Sequence, residues 1–195
     1  MPSLPRLLLL GDSIRISYEP LVAARLKGRV EVVGPGENGQ FSLYTLTRLG
    51  TWLAELGPVD MVHWNNGIHD CGHNPNRAPV QIPLADYLGN LRLILVALRA
   101  ATPCVVWATT TPQHPQRPFR ADQWSWRNEE MAQYDAAALA QMRAQDVPVN
   151  DLRALVSSRV DEYLAEDQLH LSAAGREVCA VAVVRTLERE GFLPV

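Results

Sequence analysis

The chain has 195 residues, with 18 Lys+Arg against 21 Asp+Glu, a net charge of −3 and 47% hydrophobic residues. That length suits a single domain over residues 1–195 and leaves two domains cramped. Neither sign of charge is gathered into a block, which argues against a nucleic-acid partner, and no apolar run approaches a membrane span.

The three cysteines, Cys71, Cys104 and Cys179, show no C-x-x-C spacing, so no disulfide framework is indicated. The first residues lack the basic segment of a secretory signal, and a cytoplasmic location is expected. No repeat or low-complexity tract is present.

In chain order, Leu7-Leu8-Leu9-Leu10 is a short apolar run stopped by Gly11, the pattern of a buried strand, and Asp12-Ser13 follow directly. At the carboxyl end of such a strand Ser13 is placed either to react or, with Asp12, to cap the next helix. That helix is expected to have Pro20 in its first turn and to run to Gly28. Arg29–Val33 alternates as a second strand and gives way to the turn-rich Gly34–Gln40. Ser42 is a candidate cap for a helix with Leu43, Leu46, Leu49, Leu53 and Leu56 on one face, stopped by Gly57-Pro58.

Val59–Trp64 reads as the third strand, followed by a polar loop, Asn65-Asn66-Gly67-Ile68-His69-Asp70-Cys71-Gly72-His73. A helix is predicted from about Leu84 to Ala100 and a fourth strand over Cys104–Ala108. Thr109–Trp126, with three prolines and Phe119, Trp124 and Trp126, is a long loop suited to a lid or substrate wall, and its rings serve equally to pack it down. A helix from about Arg127 to Ala144, a strand over Val147–Asn150, a helical segment over Asp151–Leu164 and a last helix over Ala173–Glu190 complete the chain. Five strands alternating with helices predict a three-layer α/β/α, flavodoxin-like fold around a five-stranded parallel sheet.

Acyl transfer by a serine requires a base, an acid that fixes the base's tautomer, and donors for the oxyanion. Asp167 and His170 lie three residues apart, so one turn can hold the carboxylate against one ring nitrogen while the other faces Ser13. His63, His69, Asp70, Cys71 and His73 also offer metal-binding chemistry, but their spacing matches no established zinc pattern. Gly-x-Ser-x-Gly is absent, so the nucleophile elbow of the other α/β-hydrolase class has no support.

The ordered set Gly11-Asp12-Ser13, a glycine after the second strand, Gly67-Ile68-His69-Asp70 after the third and Asp167-Gln168-Leu169-His170 near the end resembles the SGNH hydrolases, also called GDSL esterases and lipases. The resemblance implies Ser13 as nucleophile, His170 as base, Asp167 as its orienting acid, and an oxyanion hole from the Ser13 N–H, a loop glycine and a side chain of the third marker. Gly39 is the favoured glycine and Gly36 the alternative. His69 stands where the family has asparagine. An imidazole N–H can take over that donation, and Asn65 and Asn66 are the other amides nearby. Trp124 and Trp126 are candidates for substrate contact.

The expectation is a serine esterase acting on a small-molecule ester, an acylated carbohydrate or another small acyl ester, through an acyl-serine intermediate and without metal or organic cofactor. The alternatives are a glycan- or peptide-binding module on the same scaffold, with Ser13 and His170 out of reach of each other, and a metal-dependent hydrolase. The oligomeric state is open.

Overall fold

The computed structural model describes residues 3–76 and 80–193. Its centre is β1 (Arg6–Leu10), in which Leu7 to Leu10 are wholly buried. Successive side chains of a strand point to opposite faces. Leu8 and Leu10 accordingly enter one hydrophobic core, and Leu7 and Leu9 enter the other. A strand apolar on both faces is stable only inside a sheet covered on both sides.

The sheet adds β2 (Glu31–Val33), β3 (Met61–Trp64), β4 (Val105–Ala108) and β5 (Val149–Asn150), all parallel, in the order β2-β1-β3-β4-β5. Parallel strands bring the loops after β1, β2 and β3 to the same edge. Over one face lie α2 (Ser42–Leu56), α3 (Leu84–Ala101) and α4 (Asn128–Arg143), which contribute Trp52, Leu91 and Met131 to the core. Over the other lie α1 (Ser13–Leu26) and α7 (Ala173–Arg189), with Tyr18, Val22, Cys179 and Val183, beside the short α5 (Leu152–Ser157) and α6 (Val160–Tyr163). The predicted three-layer architecture is the observed one. Among the described residues no helix is long and apolar enough to cross a membrane.

Four local expectations are corrected. Pro20 lies inside α1, because Asp12 already caps the helix by accepting the Ile14 N–H at 2.9 Å. β2 starts at Glu31, since the N–H groups of Arg29 and Val30 both go to the Leu26 carbonyl at the end of α1. Ser42 does not cap α2 with its hydroxyl; Asp70 reaches across from the loop after β3 and accepts the Ser42 N–H instead. The segment 151–164 breaks after Ser157, and Arg159, at φ −150° and ψ 58°, leaves the helical conformation before α6. That break turns Leu164 into a bridge with Leu171 and lets the Tyr163 carbonyl accept the Ser172 N–H, closing the reversal that carries Asp167 and His170.

Candidate active site

Ser13 is the first residue of α1, so its N–H belongs to the turn of a helix whose donors have no intrahelical partner. Gly11, at a φ of +154°, makes the sharp exit from β1, and a Cβ there would stand 2.9 Å from the Cβ of Arg15. The Ser13 hydroxyl lies 3.0 Å from His170 Nε2, across 157 residues of chain. His170 Nδ1 lies 2.5 Å from Asp167 Oδ2.

The other oxygen of Asp167 accepts the N–H groups of Leu169 at 3.1 Å and His170 at 2.9 Å. Partial burial works against the charged carboxylate, but the hydrogen bond with the His170 ring, together with these backbone bonds, outweighs it and holds the Asp167 carboxyl below its ordinary range. Gln168, between them, adopts a φ of +62°, which closes the turn tightly enough for one carboxylate to serve the backbone and the ring. Both Asp167 and His170 are half open to solvent.

His69 is largely buried, and that burial pushes its imidazole below the ordinary value; the charge of Asp12 raises it and that of His170 lowers it. The ring is therefore neutral at pH 7 and close enough to both residues to feel them. Its Nδ1 is buried with no partner, and Trp124 meets it edge-on at 5.0 Å between centroids. Of the asparagines nearby, Asn66 has both amide N–H groups engaged and Asn65 has one. Asn65 donates to the Ala108 carbonyl, and Asn66 donates to Gln40 and Thr45 while accepting the Trp64 indole N–H.

Gly39 sits against the end of β1, with its N–H donated to the Gly11 carbonyl at 3.0 Å. A Cβ on Gly39 would lie 2.7 Å from that oxygen, whereas one on Gly36 meets nothing within 4 Å. The structure thus gives Gly39 the close approach and engages the N–H expected to face the oxyanion. Two residues that pattern reading did not single out fix this loop. Arg15, almost wholly buried, donates to the Glu37 carbonyl at 3.2 Å and pairs with Glu19. The Glu37 carboxylate accepts from Tyr44, Trp52 and Arg48, the Tyr44 bond being the largest cause of a pKa held down to about 2. The sequence shows only a cation two residues after the candidate nucleophile, and its burial is decided by the fold.

The aromatic loop folds onto the loop after β3. His73 and Ser125 form an antiparallel bridge, and Trp126 donates to the Ile68 carbonyl at 2.5 Å. Trp124 stacks on Trp126 with centroids 5.5 Å apart. Trp126 is buried and supports the wall, while Trp124 stands between it and His69.

The residues with metal-binding chemistry are dispersed. His63 is buried in β3, where burial lowers its pKa to about 4 and Asn150 donates to its Nε2 at 3.0 Å. Asp70 faces Ser42, and His73 faces Glu130 at 2.5 Å. Among the described residues no three such side chains gather in one place.

The model of the GDSL-like Lipase/Acylhydrolase family matches residues 9–178, from inside β1 into α7. The chain belongs to this family. It is a carboxylic ester hydrolase by that membership. Among solved structures of the same fold, the lipase/acylhydrolase from Enterococcus faecalis is 23% identical with a TM-score of 0.78, covering 98% of each chain. The acetyl xylan esterase AlAXEase is 17% identical with a TM-score of 0.76, covering 93% of this chain and 99% of that one. Axe2, an acetylxylan esterase from Geobacillus stearothermophilus, is 20% identical with a TM-score of 0.75, covering 94% of each. No curated protein matches the chain.

Proposed function

We propose that this ester hydrolase works through an acyl-Ser13 intermediate on a small acyl ester, with an acylated carbohydrate as the favoured substrate. The observation that carries the mechanism is the Ser13–His170–Asp167 relay, with links of 3.0 Å and 2.5 Å. A serine hydroxyl is a weak nucleophile until a base within hydrogen-bond reach accepts its proton.

In the proposed cycle Ser13 Oγ attacks the ester carbonyl carbon as its proton passes to His170 Nε2. The carbonyl electron pair moves onto oxygen. The Asp167 carboxylate stabilises the imidazolium that forms and keeps Nδ1 protonated before it does. Collapse of the tetrahedral intermediate breaks the bond to the alkoxy oxygen, which leaves as alcohol with the proton from Nε2. Water then repeats the sequence on the acyl-enzyme, releasing the carboxylic acid and regenerating Ser13.

For the oxyanion we assign the Ser13 N–H at the helix N-terminus and His69 Nε2–H. The buried, unpartnered Nδ1 is then the bare nitrogen of the neutral ring, which leaves the proton on Nε2. Gly39 joins them only when its N–H is shared between Gly11 and the substrate.

An acylated carbohydrate is favoured because the Trp124 indole packs edge-on against His69, beside the proposed oxyanion donor. The names of two similar structures, both acetyl xylan esterases, point the same way. A binding module with a separated serine and histidine does not describe a pair 3.0 Å apart. The test is labelling with a serine-directed fluorophosphonate together with hydrolysis of p-nitrophenyl acetate. Wild type is expected to label and turn over, and Ser13→Ala to lose the label and at least about three orders of magnitude in kcat. Retention of either by Ser13→Ala overturns the mechanism.

A further inference from the structure

We infer that a cavity under the 112–128 segment is a second binding site, for a small polyhydroxylated organic anion such as a sugar acid or a sugar phosphate. The cavity has a volume of about 620 Å³ and is walled by Gln113, Arg117, Phe119, Trp126, Asn128 and Arg153. That size is in the range of small-molecule sites. None of Ser13, Asp167 and His170 lines it, and the inference does not rest on the esterase mechanism.

Charge selects the ligand class. Arg117, Arg127 and Arg153 line the cavity against a single acid, Glu129. Two of these guanidinium groups are already held in place by aromatic faces. Arg117 lies 5.2 Å from the Trp126 ring centre, and Arg127 lies 3.6 Å from that of Phe119. Gln113 stiffens the arrangement by donating to the Trp126 carbonyl and accepting from Arg117. Groups fixed before a ligand arrives lose little further freedom on binding it.

Arg153 differs from Arg127. Arg127 has Glu130 at 3.6 Å, but among the described residues no carboxylate forms an ion pair with Arg153, and its Nη1 is buried without an acceptor. Asp135 lies close enough for its carboxyl to feel the Arg153 charge, but among the described residues the two form no ion pair, so the guanidinium keeps donors for an oxyanion in the cavity. The amide of Asn128 and the hydroxyl of Ser157, on the same wall, suit a polyol body. The shared chemistry is an oxyanion carried on hydroxylated carbon, and the probes separate carboxylate from phosphate.

The experiment is calorimetric titration of the full chain with D-glucuronate, glucose 6-phosphate, D-glucose and inorganic phosphate. At least one of the two sugar anions is expected to bind with 1:1 stoichiometry and D-glucose not to bind. Arg153→Gln is expected to weaken that binding about tenfold or more, as loss of a charge-assisted contact does. Asn128→Asp adds a like charge to the wall at a helix start that favours acids, so it tests the same site should Arg153→Gln fail to fold. The inference is overturned if neither sugar anion binds, if D-glucose or inorganic phosphate binds as tightly, or if both folded variants keep wild-type affinity.

Discussion

Asp70, in the loop after β3, accepts both the backbone N–H and the hydroxyl of Ser42 at the start of α2, at 2.9 Å and 2.5 Å. The bond joins the loop that carries His69 to the helix that follows the Gly39 loop. Asn90 of α3 in turn donates to the Ser42 hydroxyl at 3.0 Å, so three segments meet at that hydroxyl.

The Asp70 carboxyl gives a pH-dependent stability. Burial raises the Asp70 pKa from 3.8 to about 7, against the lowering effect of the Ser42 hydrogen bonds. An acid whose pKa is higher folded than unfolded holds its proton more tightly in the folded state, so its stabilising contribution is complete below pH 3.8 and is lost as pH rises through 7. Asp135, raised to about 6 by burial, acts with the same sign. Melting temperatures of wild type and Asp70→Asn between pH 4 and pH 8 are expected to show a shallower decline with pH in the variant. An equal decline in both removes Asp70 from the account.

His69 is expected to act on kcat more than on KM. Loss of one oxyanion donor costs on the order of 3 kcal/mol, or about a hundredfold in rate. His69→Ala should fall by about that factor on p-nitrophenyl acetate, and His69→Asn should recover part of it, since the amide N–H is a donor of similar reach. A His69→Ala enzyme with unchanged kcat rejects the assignment.

Gly39 and Gly36 are separated by what a methyl group would meet. On Gly39 it would press to 2.7 Å on the Gly11 carbonyl, two residues before Ser13, whereas on Gly36 it enters open space. Overpacking of this kind costs about 1–3 kcal/mol. Gly39→Ala should lower both melting temperature and kcat, and Gly36→Ala should leave both near wild type. Equal effects in steady-state kinetics and thermal melts would contradict the distinction.

Gly72 is the floor on which both indoles rest. A Cβ there would be 2.2 Å from Trp124 Nε1 and 2.9 Å from Trp126 Nε1. Gly72→Ala is expected to displace Trp124 from His69, to change the near-ultraviolet circular dichroism of the tryptophans and to raise KM for a sugar ester more than for p-nitrophenyl acetate. An unaltered tryptophan spectrum would show that the ring positions do not depend on this contact.

The two periods of hydrophobicity decided the fold from sequence alone. Leu7–Leu10 has no polar face and so had to lie inside the sheet, and the three- and four-residue spacing of Leu46, Leu49, Leu53 and Leu56 required a helix with one buried side, although Leu43, expected on that face, is exposed at the start of the helix. Ser13, Asp167 and His170 were legible because each follows a strand or precedes a helix within a short motif, so local pattern suffices to name them. What pattern could not supply was the partner of each polar group. Asp70 drew notice for its metal-binding chemistry and serves Ser42, 28 residues away. The N–H of Gly39 was expected to face substrate and faces Gly11. The buried Arg15 and the unpaired Arg153 drew no attention as isolated letters. Hydrophobic burial is a property of single residues and their spacing, and it survives in one dimension. A hydrogen bond or ion pair depends on two groups meeting at about 3 Å in a fixed direction, and only the folded chain decides which groups meet.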